Sequence, residues 1–457
     1  MLRMLIFYQL CQFYVYSVHE NTLHAKIKHA ILYDIKQSSL PEFTYLVKEH
    51  TMNITGIIAE YNPFHNGHLY HMERARIDTA ADYVIVVLSG DFVQRGAPAI
   101  LDKYLRTQMA LENGADLVVE LPVCYAASSA EYFSMGAVSL LDKLCCVNHL
   151  SFGSECGNSK ELLDIASFII EETPAYRAAL NQYLRQGMHF AQANAKAVSA
   201  QFADSASIED TLSSPNNTLG IAYLKALFKR GSQIQPHTMK RYQSGYHDTD
   251  AGALSASAVR HSMLSSAKAC GQQALPLIQE DDFSAMLIYR LRSLFAEAAQ
   301  TSANKNDIAL CLTAYADVSE DLAFRIYTMI NQYESFSQFC LLLKSKELTY
   351  SRISRALLHI LLGIKKSRLD TFVQGDYISY ARILGFKKES TPLFSQIKAY
   401  SKIPLISKLA DAGKLLSAHS YQMLLTDIHA ADLYEQTACM KYKHSFQSEY
   451  SREIIRI

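Results

Sequence analysis

The chain has 457 residues, in which 44 lysines and arginines balance 44 aspartates and glutamates, so its formal net charge is zero. This balance excludes a protein that is basic over its whole surface, but it is compatible with a basic face on one part of the molecule. With 49% hydrophobic and 19% charged residues, the chain is expected to fold throughout, into roughly two or three domains.

The first 51 residues differ in character from the domain that follows them. Residues 1–18 are apolar, but Gln9, Gln12 and several tyrosines interrupt the run, and no signal-peptide cleavage site follows it. The run is also too short and too polar for a comfortable membrane span, so we expect no membrane association. We expect Met52 to be the natural start and residues 1–51 to be a dispensable extension. The alternative is a helix that lies on a membrane surface.

Strand and helix patterns alternate from residue 54 onward. Short apolar or β-branched runs predict strands at 54–59, 82–88, 116–121, 149–152 and 233–240. Amphipathic stretches predict helices at 69–80, 101–113 and 128–144, and residues 159–230 are predicted to be mostly helical with a polar break at 204–217. The alternation predicts a Rossmann-like α/β fold with a doubly wound parallel sheet. Such sheets bind ligands at the carboxyl ends of their strands.

From residue 275 to about 363, apolar residues recur at helical spacing. We therefore divide the chain into residues 1–51, an α/β domain at 52–270 and a mainly α-helical C-terminal domain at 271–457. The nine cysteines are odd in number and include no C-x-x-C pair, which argues against a disulfide framework and a thiolate zinc site. We expect no metal site, and free thiols in a reducing cytoplasm.

The segment Asn62–His68 holds two imidazoles in an H-x-G-H pattern between the first strand and the first helix. A helix N-terminus favours an anion, and Gly67 allows a phosphate to approach the backbone. His65 and His68 can donate hydrogen bonds to a reacting phosphate and to a leaving pyrophosphate. The alternative is a pair of incidental surface histidines, but the position after a first strand favours a functional site.

Three further segments carry groups that suit a nucleotide. In Leu254–Arg260, small hydroxyl residues precede Arg260 at a predicted helix start, which suits phosphates, although a helix cap with a surface arginine is the alternative. Residues 240–248 offer Arg241, a glycine turn and a His-Asp pair, or else a solvated loop. In 214–220, Asn216 can contact a base or a ribose, or can cap the helix.

Together these residues identify a resemblance. H-x-G-H followed by S-x-S-x-x-R resembles the HIGH-type nucleotidylyl transferase superfamily. The ordered motifs EYNPFHNGHLYH, LSGDFVQRGAPAILDKYLR, GADLVVELP, SFGSECG, SPNNTLGIAYLKAL, KRYQSGYHD and ARILGF resemble the bacterial tRNA(Met) cytidine acetate ligase family from about residue 52 to residue 408. The resemblance implies a nucleotidylyl transferase fold and a ligase that activates acetate with ATP. The acetyl group of acetyl-adenylate then passes to the wobble cytidine of elongator tRNA(Met), giving N4-acetylcytidine.

The resemblance also implies site residues. The catalytic candidates are His65, His68, Arg241 and Arg260, with the four side chains supplying donors and charge. The implied ATP-binding residues are Ile58, Ala59, Glu60, Tyr61, Asn62, Pro63, Phe64, His65, Asn66, Gly67, His68, Leu69, Tyr70, Gly153, Asn216 and Arg241. Whether Mg²⁺ accompanies ATP, and the oligomeric state, stay open.

Two positions depart from the family pattern. Asp91 stands where the family usually has Asn, and Ser257 stands where it favours Thr. The second change is conservative. The first adds a negative charge close to an expected phosphate site, which puts a direct phosphate contact by residue 91 in doubt.

Residues 363–402 carry eight lysines and arginines against three acids, with aromatic residues interleaved. Cations and aromatic rings suit phosphate contact and base stacking, so this segment is the expected tRNA surface. The alternative is an ordinary solvated helical face with core aromatics. Two other functions remain compatible with the motifs, a nucleotidylyl transferase acting on a small cofactor precursor and a non-catalytic nucleotide-sensing RNA-binding protein.

Overall fold

The computed structural model describes residues 52–188, 190–202, 204–241, 256–270 and 275–457. The predicted extension at 1–51 and the His247-Asp248 pair lie outside the described residues. Ten strands are present in the described part: β1 Ile54–Ala59, β2 Tyr83–Ser89, β3 Phe92–Val93, β4 Ala97–Pro98, β5 Leu117–Leu121, β6 His149–Ser154, β7 Gln235–Lys240, β8 Ala381–Phe386, β9 Leu405–Ile406 and β10 Ile455–Arg456.

The central sheet has the strand order β10-β8-β5-β2-β1-β6-β7, with β9 also paired to β8. The five strands β5-β2-β1-β6-β7 are mutually parallel, as predicted. In β2 and β5, residues on both faces of the sheet are buried, so apolar and polar residues do not alternate. This is typical of a parallel sheet, because helices cover both of its faces. The strand order reverses direction between β1 and β6, and this switch point is where doubly wound sheets bind ligands.

Residues 52–230, as far as the structure describes them, form nine helices: α1 Asn66–Asp78, α2 Lys103–Glu112, α3 Val123–Ala126, α4 Ala130–Lys143, α5 Ser159–Glu171, α6 Pro174–Arg185, α7 Phe190–Ser199, α8 Ser205–Ser213 and α9 Pro215–Arg230. Local signals set their starts. Asp102 caps α2 by accepting from the Leu105 N–H, and Pro215 occupies the first turn of α9.

The predicted polar break at 204–217 is wrong in its extent. Residues Ser205–Ser213 form α8, whose N-terminus is capped by Asp204 and whose Ile208 and Thr211 are buried. Only Ser214 separates α8 from α9. The segment is polar because most of its residues face solvent. The helix between its N-cap Asp204 and its C-cap Ser214 has only nine residues, too few to show a clear apolar pattern.

The second half is mainly helical. Its helices are α10 Ala256–Cys270, α11 Ser284–Thr301, α12 Lys305–Leu310, α13 Glu320–Met329, α14 Phe336–Leu343, α15 Tyr350–Leu362, α16 Lys366–Gln374, α17 Thr391–Tyr400, α18 Leu409–Leu415 and α19 Ala418–Tyr442. Short 3-10 turns occupy Glu280–Phe283, Cys311–Ala314, Ile330–Gln332, Lys388–Ser390 and Glu449–Ser451. None of the helices in the described part of the chain is long and apolar enough to cross a membrane.

The second half also extends the sheet of the first. Strand β8 pairs antiparallel with β5, and β9 and β10 each pair parallel with β8. Residues Asn53–Ile457 form one compact unit. The predicted division into a catalytic domain at 52–270 and a tRNA-binding domain at 271–457 therefore stays a prediction.

A buried cluster of charges joins the two halves. Lys103 Nζ lies 2.8 Å from Glu120 Oε1 and also pairs with Glu449, while Arg382 lies 3.2 Å from Glu120 and 2.8 Å from Glu449. All four side chains are buried. Burial costs such charges much of their hydration, so their mutual pairing is what makes the arrangement tolerable. Asp91 belongs to the same cluster, where its Oδ1 accepts from the Lys103 N–H at 2.9 Å.

Candidate active site

A cleft of about 290 Å³ opens where the carboxyl ends of β1, β6 and β7 meet. This is the switch point of the sheet. The implied site residues that line it are Ile58, Ala59, Glu60, Tyr61, Asn62, His68, Gly153, Asn216, Arg241 and Arg260. Further lining residues are Ile57, His71, Gln94, Arg95, Ala130, Phe133, Phe152, Pro215, Thr218, Leu219, Tyr223 and Ala256.

The first turn of α1 is organised by two histidines. His65 is the N-cap, with its Nδ1 accepting from the Gly67 N–H at 3.0 Å, and the His65 N–H donates to Nδ1 of His68 at 3.3 Å. The two rings stack with their centroids 3.8 Å apart. Because Nδ1 is the acceptor in each ring, a neutral imidazole here carries its proton on Nε2. The reciprocal cap therefore fixes both tautomers.

Both imidazoles are held neutral. Burial, followed by the charges of His65 and His71, keeps the pKa of His68 well below its ordinary value. Burial, followed by Arg241 and Arg260, also lowers the pKa of His65. The histidines thus offer neutral N–H donors, and the positive charge of the site comes from the arginines. Of the four catalytic candidates, which were expected to supply donors and charge, Arg241 and Arg260 therefore carry the charge and the two histidines offer only donors.

The absence of a side chain at Gly67 leaves room for the His65 ring. A Cβ at residue 67 would lie 2.9 Å from Cε1 and 3.1 Å from Nδ1 of His65. The expected role of Gly67 was to let a phosphate approach the backbone. The structure shows that its missing side chain also makes room for the capping imidazole.

Three guanidinium groups surround the cleft. Arg260 on α10 donates from Nη1 to the Asn62 carbonyl at 2.7 Å and from Nη2 to Ser257 Oγ at 2.9 Å. Burial, followed by the nearby Arg95, lowers the pKa of Arg260. The third guanidinium belongs to Arg241, directly after β7. Like charges held this close create a field that favours a polyanion.

Asn216 lies at the first turn of α9, and its surroundings bear on the choice between capping and ligand contact. Its Nδ2 donates to Glu155 Oε1 at 2.6 Å, and the Asn217 N–H donates to Glu155 Oε2 at 2.8 Å. Glu155 therefore supplies the anion at this helix N-terminus. Asn216 itself lines the cleft, so its side chain is fixed by Glu155 beside the ligand space.

Not all of the implied ATP-binding stretch lines the cleft. Pro63, Phe64, His65, Asn66, Gly67, Leu69 and Tyr70 are absent from its wall. The chain leaves the cleft wall at Pro63. Of the helix α1 that follows, only His68 and His71, one turn apart, line the cleft. Tyr70 is exposed, whereas His65 acts on the cleft through its stacked contact with His68.

Sequence reasoning missed Arg95, which lies in the hairpin formed by β3 and β4. Two contacts hold this hairpin. The Gln94 N–H donates to the partly buried Glu60 carboxylate at 2.8 Å, and the Gly96 carbonyl accepts from Ser354 Oγ of α15 at 2.8 Å. Gly96 has φ +77 and packs on the α15 backbone, a position that favours glycine. The motif LSGDFVQRG marked the region, but nothing in it distinguished Arg95 from a surface arginine.

His71 is the second residue that was missed. It lines the cleft one turn beyond His68, and its Nε2 lies 3.1 Å from Ser151 Oγ. Burial, followed by Arg241 and His237, lowers the pKa of His71 to about 4. The spacing of three residues from His68 is the signal that could have found it, because residues i and i+3 share one helix face.

The doubt about residue 91 is resolved by its position. Asp91 does not line the cleft, and its carboxylate lies in the buried charge cluster, with Oδ2 3.7 Å from Lys103 Nζ. Burial raises the pKa of Asp91 to about 7, against the opposing effect of Lys103. The aspartate therefore adds no charge to the wall of the cleft.

The basic segment 363–402 divides into a surface part and a core part. Arg382 belongs to the buried cluster, and Phe372 and Tyr380 are core residues. The alternative of core aromatics is thus correct for these two rings. The exposed members are Lys365, Lys366, Arg368, Lys388, Lys398, Tyr400 and Lys402.

Comparisons with known proteins agree with one another. A family model described as HIGH Nucleotidyl Transferase matches residues 52–449. A tRNA(Met) cytidine acetate ligase of Thermoanaerobacter sp. is 40% identical over 412 residues, covering 86% of this chain and 96% of the relative. The same-named protein of Acetivibrio thermocellus is 38% identical over 400 residues, covering 84% and 94%. The crystal structure of Thermotoga maritima TmcAL bound with alpha-thio ATP has a TM-score of 0.77 at 27% identity, covering 89% of this chain and 99% of that one.

Proposed function

The chain belongs to the tRNA(Met) cytidine acetate ligase family of HIGH nucleotidyl transferases, and on that basis we propose that it activates acetate with ATP and acetylates the wobble cytidine of elongator tRNA(Met). The products are N4-acetylcytidine, AMP and pyrophosphate. The observation that carries the proposal is the arrangement of His68, held by its cap partner His65, and three arginines at one cleft at the switch point of the sheet.

ATP fits the character of this cleft. Arg95, Arg241 and Arg260 offer three guanidinium groups to a triphosphate, and guanidinium forks match phosphate oxygens well. The rings of Phe133, Phe152 and Tyr223 form an apolar part of the wall that suits a planar base. Among the lining residues that the structure describes, Glu60 is the one carboxylate, and it accepts from the Gln94 N–H. A Mg²⁺ ion would thus be held mainly by the nucleotide's own phosphates.

In the first half-reaction, an acetate oxygen attacks the α-phosphorus of ATP, and the bond from that phosphorus to pyrophosphate breaks. Acetate is already ionised at neutral pH, so this step needs no general base. The chain contributes position and charge. Nε2–H of His68 donates to the reacting phosphate, His65 holds that ring through the reciprocal cap, and the arginines neutralise the leaving pyrophosphate.

In the second half-reaction, the exocyclic amine of cytidine attacks the acetyl carbon, and AMP leaves. The wobble base lies in a single-stranded loop and can enter a cleft without melting a duplex. For tRNA contact we favour the exposed cations of 363–402, in particular Lys398 and Lys402, which flank the exposed Tyr400. A cytoplasmic location agrees with a tRNA substrate and with the cysteines that are free in the described part of the chain.

The test is a reconstitution with purified protein, ATP, labelled acetate and unmodified elongator tRNA(Met). We expect one acetyl group per tRNA, located at the wobble cytidine, and formation of AMP and pyrophosphate. A tRNA(Met) carrying uridine at the wobble position is the matched control and should accept no label. Efficient nucleotidyl transfer to a small cofactor precursor, with no acetylation of tRNA, would overturn the proposal.

A further inference from the structure

Three metal-binding side chains converge where α19 ends. Glu435 and Cys439 lie one turn apart on one face of α19, and Lys443 ends the helix in a left-handed conformation with φ 60. The chain then turns back and brings His444 onto the same face. Cys439 Sγ lies 3.4 Å from His444 Nδ1 and 3.7 Å from Glu435 Oε1, and those two atoms are 3.8 Å apart.

This triangle has the dimensions of one face of a zinc coordination tetrahedron. Zinc bonds of about 2.0–2.3 Å to oxygen, nitrogen and sulfur place tetrahedral ligand atoms about 3.3–3.6 Å from one another. The sulfur–nitrogen separation of 3.4 Å lies within this range, and the separations of 3.7 and 3.8 Å to Glu435 Oε1 are slightly longer. A small inward movement of the glutamate side chain would therefore close the site. Among the residues that the structure describes, this is the one group of three such side chains whose ligand atoms lie within 4.8 Å.

We propose that Glu435, Cys439 and His444 form a binding site for a zinc-class divalent cation, with water as the fourth ligand. Thiolate, imidazole and carboxylate together favour zinc over Mg²⁺ or Ca²⁺, which prefer oxygen ligands alone. On binding, Cys439 releases its thiol proton to solvent, and the neutral ring of His444 exchanges its proton from Nδ1 to Nε2 through solvent, so that Nδ1 coordinates the cation. The proposal departs from the expectation of no metal site, because a search for C-x-x-C pairs does not detect a mixed ligand set.

Neighbouring groups already orient these ligands. Arg452 Nη2 donates to Glu435 Oε2 at 2.9 Å, which directs Oε1 towards the cysteine and the histidine. The Gln447 N–H donates to the same Oε1 at 3.2 Å. His444 Nδ1 lies 3.1 Å from the Ser445 carbonyl, which can only accept, so Nδ1 carries the ring proton before metal binds. Such supporting contacts fix carboxylate orientation around metals. They also tie the segment after α19 to the helix.

The position points to a stabilising role. The segment that follows His444 carries Glu449 into the buried charge cluster and ends in strand β10 of the sheet. A cation held between α19 and His444 would fasten the start of that segment. We therefore expect zinc to raise the melting temperature of the protein without taking part in acetyl transfer.

The test is a calorimetric titration of the full chain, stripped of metal by a chelator, with Zn²⁺ alone. We expect one high-affinity site per chain and a higher melting temperature with zinc. Replacing a ligand should weaken binding by more than about 100-fold, since loss of supporting contacts alone costs about 10–100-fold. Co²⁺ in place of zinc should give thiolate-to-metal charge-transfer absorption that disappears in Cys439→Ser.

His444→Ala is the decisive variant, because this side chain is 41% exposed and its loss leaves the core intact. The matched controls are His261→Ala and Cys145→Ser, two exposed residues outside the cluster. Both controls should bind zinc as the unaltered protein does. Absence of a stoichiometric site, or unchanged affinity and melting shift in His444→Ala and Cys439→Ser, would overturn the proposal.

Discussion

The side chain of Arg241 packs against the backbone of Gly153 in the wall of the cleft. A Cβ on residue 153 would lie 3.0 Å from Cγ and 3.5 Å from Cδ of Arg241. The pairing of β6 with β7 creates this proximity, since Gly153 and Arg241 lie at the carboxyl ends of these strands. The glycine therefore determines where the Arg241 side chain can lie, and with it the position of the proposed phosphate contact.

Gly153→Ala should impair nucleotide binding more than folding. The added methyl group displaces the Arg241 side chain, and we expect the KM for ATP in an acetate-dependent ATP–pyrophosphate exchange assay to rise about tenfold. Gly413→Ala is the control, because a Cβ at residue 413 meets nothing within 4 Å. A KM for ATP equal in the two variants would show that Arg241 does not contact the nucleotide.

His68→Ala should abolish most acetyl-adenylate formation while leaving the fold intact. The substitution removes a neutral N–H donor aimed at a reacting phosphate, and loss of one such donor lowers the rate by about 10²–10³-fold. Ile77→Ala, at the exposed far end of α1, is the control. Rates of pyrophosphate exchange and far-ultraviolet circular dichroism separate chemistry from folding. An unchanged exchange rate would remove His68 from the mechanism.

Arg95→Ala tests a residue that the motifs did not reveal. Loss of its guanidinium should lower kcat/KM for ATP by about 10–100-fold, and Arg95→Lys should recover only part because an ammonium lacks the planar fork. Arg352→Ala, an exposed arginine of α15 outside the cleft lining, should retain full activity. Equal activities of the two alanine variants would exclude Arg95 from the site.

Replacing both Lys398 and Lys402 by alanine should weaken tRNA binding alone. Each lost phosphate contact reduces the slope of log K against log salt by about one, so the double variant should lose about two. Acetate-dependent pyrophosphate exchange without tRNA should be unchanged. The double variant of Lys305 and Lys414, two exposed lysines outside 363–402, is the control. An unaltered salt slope in the first variant would move the tRNA surface elsewhere.

Glu449→Gln should destabilise the protein by about 3–5 kcal/mol at pH 7, because it breaks a buried ion pair and leaves Lys103 and Arg382 undercompensated. Burial opposes ionisation of Glu449, but Lys103 and Arg382 lower its pKa to about 2. The stabilisation from this carboxylate is thus complete above about pH 4.5 and is lost as the pH falls towards 2.

Urea unfolding at pH 7 and at pH 3 measures both effects. The unaltered protein should lose stability between these values by more than Glu449→Gln does, because the glutamine has no such pairing to lose. Glu453→Gln, an exposed neighbour, is the control. Equal unfolding midpoints of the Glu449 and Glu453 variants at pH 7 would contradict a stabilising role for the buried pair.

The strands and helices of the first half were predictable because their signals are local. Ile54–Ala59 is a strand over the residues predicted from its apolar run, and α1 starts three residues before its apolar pattern because His65 caps it. Strand β8 was not predicted, since its place beside β5 depends on a partner far away in the chain. The spacing of apolar residues along the chain does not predict which distant strand a segment pairs with.

The candidate site shows the same limit. The H-x-G-H pattern and the later motifs pointed to residues on all sides of the cleft, because each motif is a short run of consecutive residues. Arg95 and His71 were missed, since their roles depend on how a hairpin and a helix turn face the switch point. The aromatics Phe372 and Tyr380 were assigned to a surface but lie in the core, because composition alone does not give direction.

The charge cluster that joins Lys103 and Glu120 to Arg382 and Glu449 also has a consequence for synthesis on the ribosome. Lys103 and Glu120 emerge early from the exit tunnel, whereas Arg382 and Glu449 emerge late in translation. Until then, the edge of the sheet lacks its neighbouring strand β8, and the Lys103–Glu120 pair lacks the partners Arg382 and Glu449. The sheet edge at β5 is therefore completed only when nearly the whole chain has been made.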